Sequence, residues 1–119
     1  MKVAITVQGK SLSDPLDPRF GRARTFLIVD PETGAVEALD NAVNLSAAQG
    51  AGIQSAQRIA QSGATAVITG HVGPKAFAVL HAAGIAIYVA PAGAAEQALA
   101  QFRRGELSRQ SAADVESHW

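Results

Sequence analysis

Between Lys2 and Val7 the chain alternates, Val3, Ile5 and Val7 against Ala4 and Thr6, and this β-branched run predicts a strand buried on at least one face. Two more short runs of the same kind, Thr25 to Asp30 and Ala35 to Leu39, flank the turn formers Pro31, Glu32, Thr33 and Gly34 and read as an antiparallel hairpin. After Asn44 the period lengthens. Ile53, Ala56, Ile59 and Ala60 fall on one helical stripe, and Gly63 stands where a glycine stop belongs. Thr65 to Thr69 is again β-branched and opens into the loop Gly70, His71, Val72, Gly73. A second helix starts at Pro74, since proline suits the first helical position; it gathers Phe77, Leu80 and Ala83 and stops at Gly84. Ile85 to Val89 predicts a buried strand. Ala94 to Arg104 predicts a third helix, with Ala95, Leu99 and Phe102 on one side and Gly105 as its stop.

A meander followed by alternating strands and helices is the pattern of an α/β domain, because parallel neighbours need crossover helices. Right-handed crossovers put the fourth and fifth strands beside the first and leave the hairpin on its other side, so a mixed five-stranded sheet of order 3-2-1-4-5 is expected. Its core should contain Val3, Ile5, Ile28, Ile53, Ile59, Val67, Ile68, Phe77, Leu80, Ile87, Leu99 and Phe102. Residues 1–107 form one domain in this reading. Residues 108–119 are a polar, weakly ordered tail, on which Val115 and Trp119, like Leu107 before it, could dock on the domain.

A chain of 119 residues with 48% hydrophobic and 17% charged residues has enough apolar surface to fold alone. Ten basic and ten acidic residues cancel, so no overall field gathers nucleic acid or an anionic membrane. The N-terminus enters a strand pattern directly, with neither a signal peptide nor a long apolar span, and the expected address is the cytoplasm. The absence of cysteine narrows function most. It excludes disulfides, zinc knuckles, thiol catalysis and cysteine-ligated iron–sulfur sites.

Local chemistry concentrates in two loops. Gln8 to Arg24 joins two strands without an element of its own, and so long a loop in a small domain is usually functional. Residues 1–25 hold Lys2, Lys10, Arg19, Arg22 and Arg24 against only Asp14 and Asp17, an imbalance that a bound anion would explain. The plain alternative is a set of solvated charges, with Asp17 and Arg19 pairing to order the loop. The second loop, Gly70 to Lys75, follows the carboxyl end of an expected parallel strand and opens a helix whose free N–H groups favour anions. It lacks the spacer and ending of a Walker motif. His71 is either a ligand-contacting residue or a loop histidine held by a hydrogen bond; His81 reads as helix surface. Asn44, Gln49, Gly50 and Gly52 lead into the first helix, and these glycines serve close packing more readily than a ligand. No nucleophile elbow or zinc-binding helix is present, and Asp14, Asp17, Asp30 and Asp40 have no spacing specific to a metal-dependent nuclease.

Asp17-Pro18-Arg19-Phe20-Gly21-Arg22-Ala23, with Phe26 after it, resembles the "HFGRA" signature of the dinitrogenase iron–molybdenum cofactor biosynthesis family. Gly50-Ala51-Gly52 and Gly70-His71-Val72-Gly73-Pro74-Lys75-Ala76-Phe77 resemble its other two motifs, in the same order. The resemblance extends through Leu107 and implies a three-layer, ribonuclease-H-like α/β fold, which carries no implication of nuclease activity. It also implies a non-enzymatic carrier of a metal–sulfur cluster, working with a cluster donor, an acceptor or an ATPase as protein partner. Several members have histidine where this chain has Arg19, so the natural metal ligand is missing here. Without cysteine, the chain is most similar to cysteine-free members that hold a molybdenum–copper sulfide cluster noncovalently. Arg19, Phe20, Gly21, Arg22, Arg24, Gly70, His71, Gly73 and Lys75 are the cofactor-binding residues this implies, the cations supplying charge and Phe20 and Phe77 cover. The alternatives are a cluster-free regulatory module acting with an ATPase and, below it, a nuclease.

Overall fold

The computed structural model describes residues 1–41 and 51–110. The sheet is built from β1 (Val3–Val7), β2 (Thr25–Val29), β3 (Val36–Asp40), β4 (Ala66–Thr69), β5 (Ala86–Val89) and β6 (Ser108–Arg109). β1 pairs antiparallel with β2 and parallel with β4, β2 antiparallel with β3, and β4 parallel with β5, the expected order 3-2-1-4-5. The short β6 adds a sixth strand, antiparallel to β5, giving 3-2-1-4-5-6. Two residues are too few to show a two-residue period, which is why this strand had no signature in the polar end of the chain. Gly105, at φ +72°, ends the preceding helix and lets the chain turn back onto β5.

Strand alternation separates two cores. Ala4, Phe26, Ile28, Val67 and Ile87 face one side, where Ala56 and Ile59 of α1 (Ala51–Gln61) and Ala76 and Leu80 of α2 (Pro74–Ala82) cover them. Val3, Ile5, Val7, Leu27, Val29 and Ile68 face the other, beneath Ala95, Ala98 and Leu99 of α3 (Ala95–Arg103). The domain is therefore three layers deep. Every residue of β1, β2 and β4 is buried, as expected of strands covered on both faces.

Three expected core residues sit at its margin. Ile53 is half-buried, Phe77 is half-buried and stacks on His81 (ring centroids 5.7 Å), and Phe102 meets Tyr88 edge to face at 5.0 Å. The buried stripe of α1 is rotated from the expected one, with Ser55 inside and Ala60 exposed. A polar contact explains the rotation: buried Asn41 donates through Nδ2 to the Ala23 carbonyl (2.8 Å) and to Ser55 Oγ (3.2 Å). Gly52 lies where a Cβ would come 3.3 Å from Ala76 Cβ, the close helix packing that its small size permits. Ala83 is exposed rather than part of the α2 stripe, and Leu107 packs partly buried on the second core. Asn44, Gln49, Gly50, Val115 and Trp119 lie outside the described residues.

Candidate functional site

Hydrogen-bonding groups at the carboxyl ends of β1 and β4 are taken up by the long loop. Its outward limb closes on itself, because the Asp14 carboxylate accepts the N–H groups of Lys10 (2.8 Å) and Ser11 (2.9 Å). A Cβ at Gly9 would overlap that carboxylate, so a larger residue there would make the Asp14 side chain shift. The return limb adds onto β1: Gln8 N–H donates to the Pro15 carbonyl (3.0 Å) and Asp17 N–H to that of Thr6 (2.8 Å). Below it, the Thr6 hydroxyl donates to the Asp17 carbonyl (2.7 Å) and lies 2.8 Å from Thr69 Oγ1, so a buried pair from β1 and β4 fixes the backbone at Asp17. The segment expected to lack structure thus carries bridges Val7 to Leu16 and Pro15 to Ala94, then a 3-10 turn at Phe20–Arg22.

The two candidate loops meet directly. His71 N–H donates to the Pro18 carbonyl (2.7 Å) and Phe20 N–H to the His71 carbonyl (3.2 Å), placing Arg19 beside His71 in a parallel bridge. Gly70 makes this approach possible. A Cβ there would fall 2.6 Å from both Cα and O of Pro18.

Above this junction lies an open hollow of about 510 Å³ lined by Gln8, Asp17, Pro18, Arg19, Arg22 and Arg24. A second hollow of about 470 Å³ shares Gln8 and Pro18 with it and continues over Gly70, His71 and the Val89–Gly93 segment, with a mostly apolar wall that includes Leu16. The result is a cleft with a basic half and an apolar half. Asp17 is the buried acid in the basic half: Arg19 N–H donates to its Oδ1 (3.0 Å) and the Arg19 guanidinium Nε is 3.8 Å away. Burial pushes the Asp17 carboxyl above the usual range, against the opposing pull of the Arg19 N–H and guanidinium.

Of the residues singled out from sequence, Arg19, Arg22 and Arg24 come together in the basic hollow, and Gly70 and His71 line the apolar one. The others serve from elsewhere. Phe20 is fully buried and stacks on Phe26 (5.7 Å), Gly21 is buried, and Gly73 precedes α2 with its carbonyl accepting Phe77 N–H (2.9 Å). Lys75 is exposed in the first turn of α2, and neither it nor Phe77 lines either hollow. Sequence reasoning passed over Gln8, Pro18, Asp17 as a lining residue, and the Val89–Gly93 wall. Gln8 and the wall each follow the carboxyl end of a parallel strand, the position at which ligands sit in open α/β sheets, so that rule applied to β1 and β5 finds them.

Fold and cleft together define a mixed-sheet α/β domain with a basic-apolar cleft where its parallel strands end. Residues 1–105 match the family described as dinitrogenase iron–molybdenum cofactor, and the chain belongs to that family. It is similar to the apo form of the orange protein from Desulfovibrio gigas, at 41% identity and TM-score 0.93 over 96% of each chain. The solution structure of a NifB-like protein from Thermotoga is similar at 35% identity and TM-score 0.84, over 97% of each chain. An uncharacterised protein of Methanocaldococcus jannaschii is 33% identical over 112 residues, 92% of this chain and 91% of that one.

Proposed function

We propose that this chain binds and carries, without covalent ligation, an anionic metal–sulfur cluster of the molybdenum–copper sulfide kind, and that it is a carrier rather than an enzyme. The observation that carries this reading is the convergence of Arg19, Arg22 and Arg24 on one hollow in a chain without cysteine. Among the described residues no group of three or more His, Asp or Glu side chains could hold a metal ion. A cluster whose metals are already saturated by sulfide needs no protein ligand. It needs positive charge, N–H donors and shelter from water, and planar guanidiniums beside an apolar wall supply these. Membership of a cofactor family and likeness to the orange protein support the same reading.

The nuclease alternative is disfavoured by the acids themselves. Asp14 and Asp30 cap turns through Lys10, Ser11 and Glu32 N–H groups, and Asp17 accepts that of Arg19. No helix among the described residues is long and apolar enough to cross a membrane. A cytoplasmic carrier that exchanges its cargo with a donor, acceptor or ATPase completes the proposal.

Anaerobic reconstitution with copper(I) and tetrathiomolybdate, followed by desalting and metal analysis, tests it. Retention of both metals with visible absorption is expected, together with loss of both in an R19Q/R22Q/R24Q variant of unchanged unfolding midpoint. Equal retention by that variant refutes the electrostatic site; no retention by the parent chain favours the cluster-free module.

A further inference from the structure

Arg19 lines the basic hollow with a side chain that is 53% exposed, so packing alone does little to fix where its guanidinium lies. Its backbone is held more closely. Asp17 Oδ1 accepts the Arg19 N–H at 3.0 Å across Pro18, a turn closed by a side chain. The Arg19 carbonyl accepts the Arg22 N–H (3.3 Å) where the 3-10 turn begins. The acceptor is itself anchored. The Asp17 side chain is only 6% exposed, its N–H donates to the Thr6 carbonyl (2.8 Å), and its carbonyl accepts the Thr6 hydroxyl (2.7 Å). Arg19 Nε stands 3.8 Å from the same carboxylate oxygen, beyond hydrogen-bonding range, so the carboxylate grips the main chain of Arg19 more firmly than its head.

Resting on the cargo reading above, we infer that Asp17 is a positioning residue for cargo binding: its side-chain oxygen, acting as a hydrogen-bond acceptor, fixes the Arg19 backbone and so aims the Arg19 side chain over the hollow. A side chain sets out from its Cα, and a long arginine with an immobile root has less freedom left to lose when it meets an anion. Pro18 adds its locked φ, and its carbonyl accepts the His71 N–H (2.7 Å). Asp17, Pro18 and Arg19 thus form one unit between the two halves of the cleft. What matters at Asp17 is the acceptor and not the charge, and an amide oxygen in the same place serves equally.

The experiment titrates the full chain with tetrathiomolybdate alone, a metal-sulfide dianion, followed by its visible absorption, and compares Asp17→Asn with Asp17→Ala. Both variants remove the negative charge, so any general gain in anion affinity is common to the two. Only the asparagine keeps an oxygen for the Arg19 N–H. Asp17→Ala should bind about tenfold more weakly than Asp17→Asn, the order of one lost hydrogen bond to a charged group. In an Arg19→Gln background, where Arg24 still lines the hollow, the two should agree within about twofold, because residues that act through one another are not additive. Should Asp17→Ala not fold, Asp17→Ser replaces it; a hydroxyl closes such turns more weakly, and a gap of about threefold from the asparagine variant is expected. A gap present with Arg19 and absent without it supports the inference. Equal binding by the folded variants, or the same gap in both backgrounds, overturns it and leaves the cargo reading standing. Failure of the parent chain to bind the dianion overturns both.

Discussion

Gly70→Ala is the substitution that most directly tests how the cleft is assembled. The added methyl would lie 2.6 Å from Pro18 Cα and O and 2.8 Å from Pro18 Cβ, against an ordinary contact beyond 3.4 Å. Because the two nearest of these atoms belong to the backbone, a side-chain rotation cannot relieve the overlap, and the loops must part by roughly 0.8 Å or more. The His71 N–H to Pro18 carbonyl bond, now 2.7 Å, then stretches out of hydrogen-bonding range. Overpacking of this kind costs about 1–3 kcal/mol and the lost bond about 0.5–1.5 kcal/mol, so a total near 2–4 kcal/mol is expected. For a domain of this size that lowers the melting temperature by roughly 6–20 °C. Thermal unfolding by circular dichroism measures it. Arg19 should move with Pro18, so cluster retention measured well below the new midpoint should fall as well. An unchanged midpoint with normal retention would mean that the two loops are not in backbone contact, and the cleft described above would be wrong.

Other expectations follow from the same geometry. Raising salt should weaken cluster retention, since exposed charges are screened beyond roughly 8–10 Å near physiological ionic strength, and lysine at positions 19, 22 and 24 should restore it only in part for want of the guanidinium fork. Amide exchange in residues 8–24 should slow on cluster binding; equal exchange with and without cluster would place the site elsewhere. Leu80 is fully buried between α2 and the sheet, so Leu80→Ala should cost about 2–5 kcal/mol in denaturant unfolding. The Lys10 and Ser11 N–H bonds hold the Asp14 carboxyl below its ordinary value. Its contribution is present above the unfolded value of 3.8 and is lost as pH falls through the depressed folded value, so the protection of the Lys10 and Ser11 amides, taken relative to their intrinsic exchange rates at each pH, should fall in acid. Asp14→Ala should show that lower protection already at neutral pH.

Local pattern determined much of this protein. Two-residue alternation in Val3–Val7 and Thr25–Val29, the proline that starts α2 and the glycines that stop the helices are properties of short stretches, and they specify five strands, three helices and their order. The basic imbalance of the first loop likewise pointed to Arg19, Arg22 and Arg24, because charge is visible without coordinates. What a side chain does once the chain closes is a different matter. Phe20 stands between two arginines in sequence yet is turned into the core against Phe26, while Asp17, one residue before a proline, is drawn into the hollow by the Thr6 bonds. The rotation of α1 depends on Asn41 reaching Ser55, a pair 14 residues apart, and β6 exists only because β5 offers an edge to pair with. Gly70 matters because Pro18, 52 positions away, touches it. Such contacts arise between distant segments, so no local period records them, and only the tertiary structure decided that two loops make one cleft.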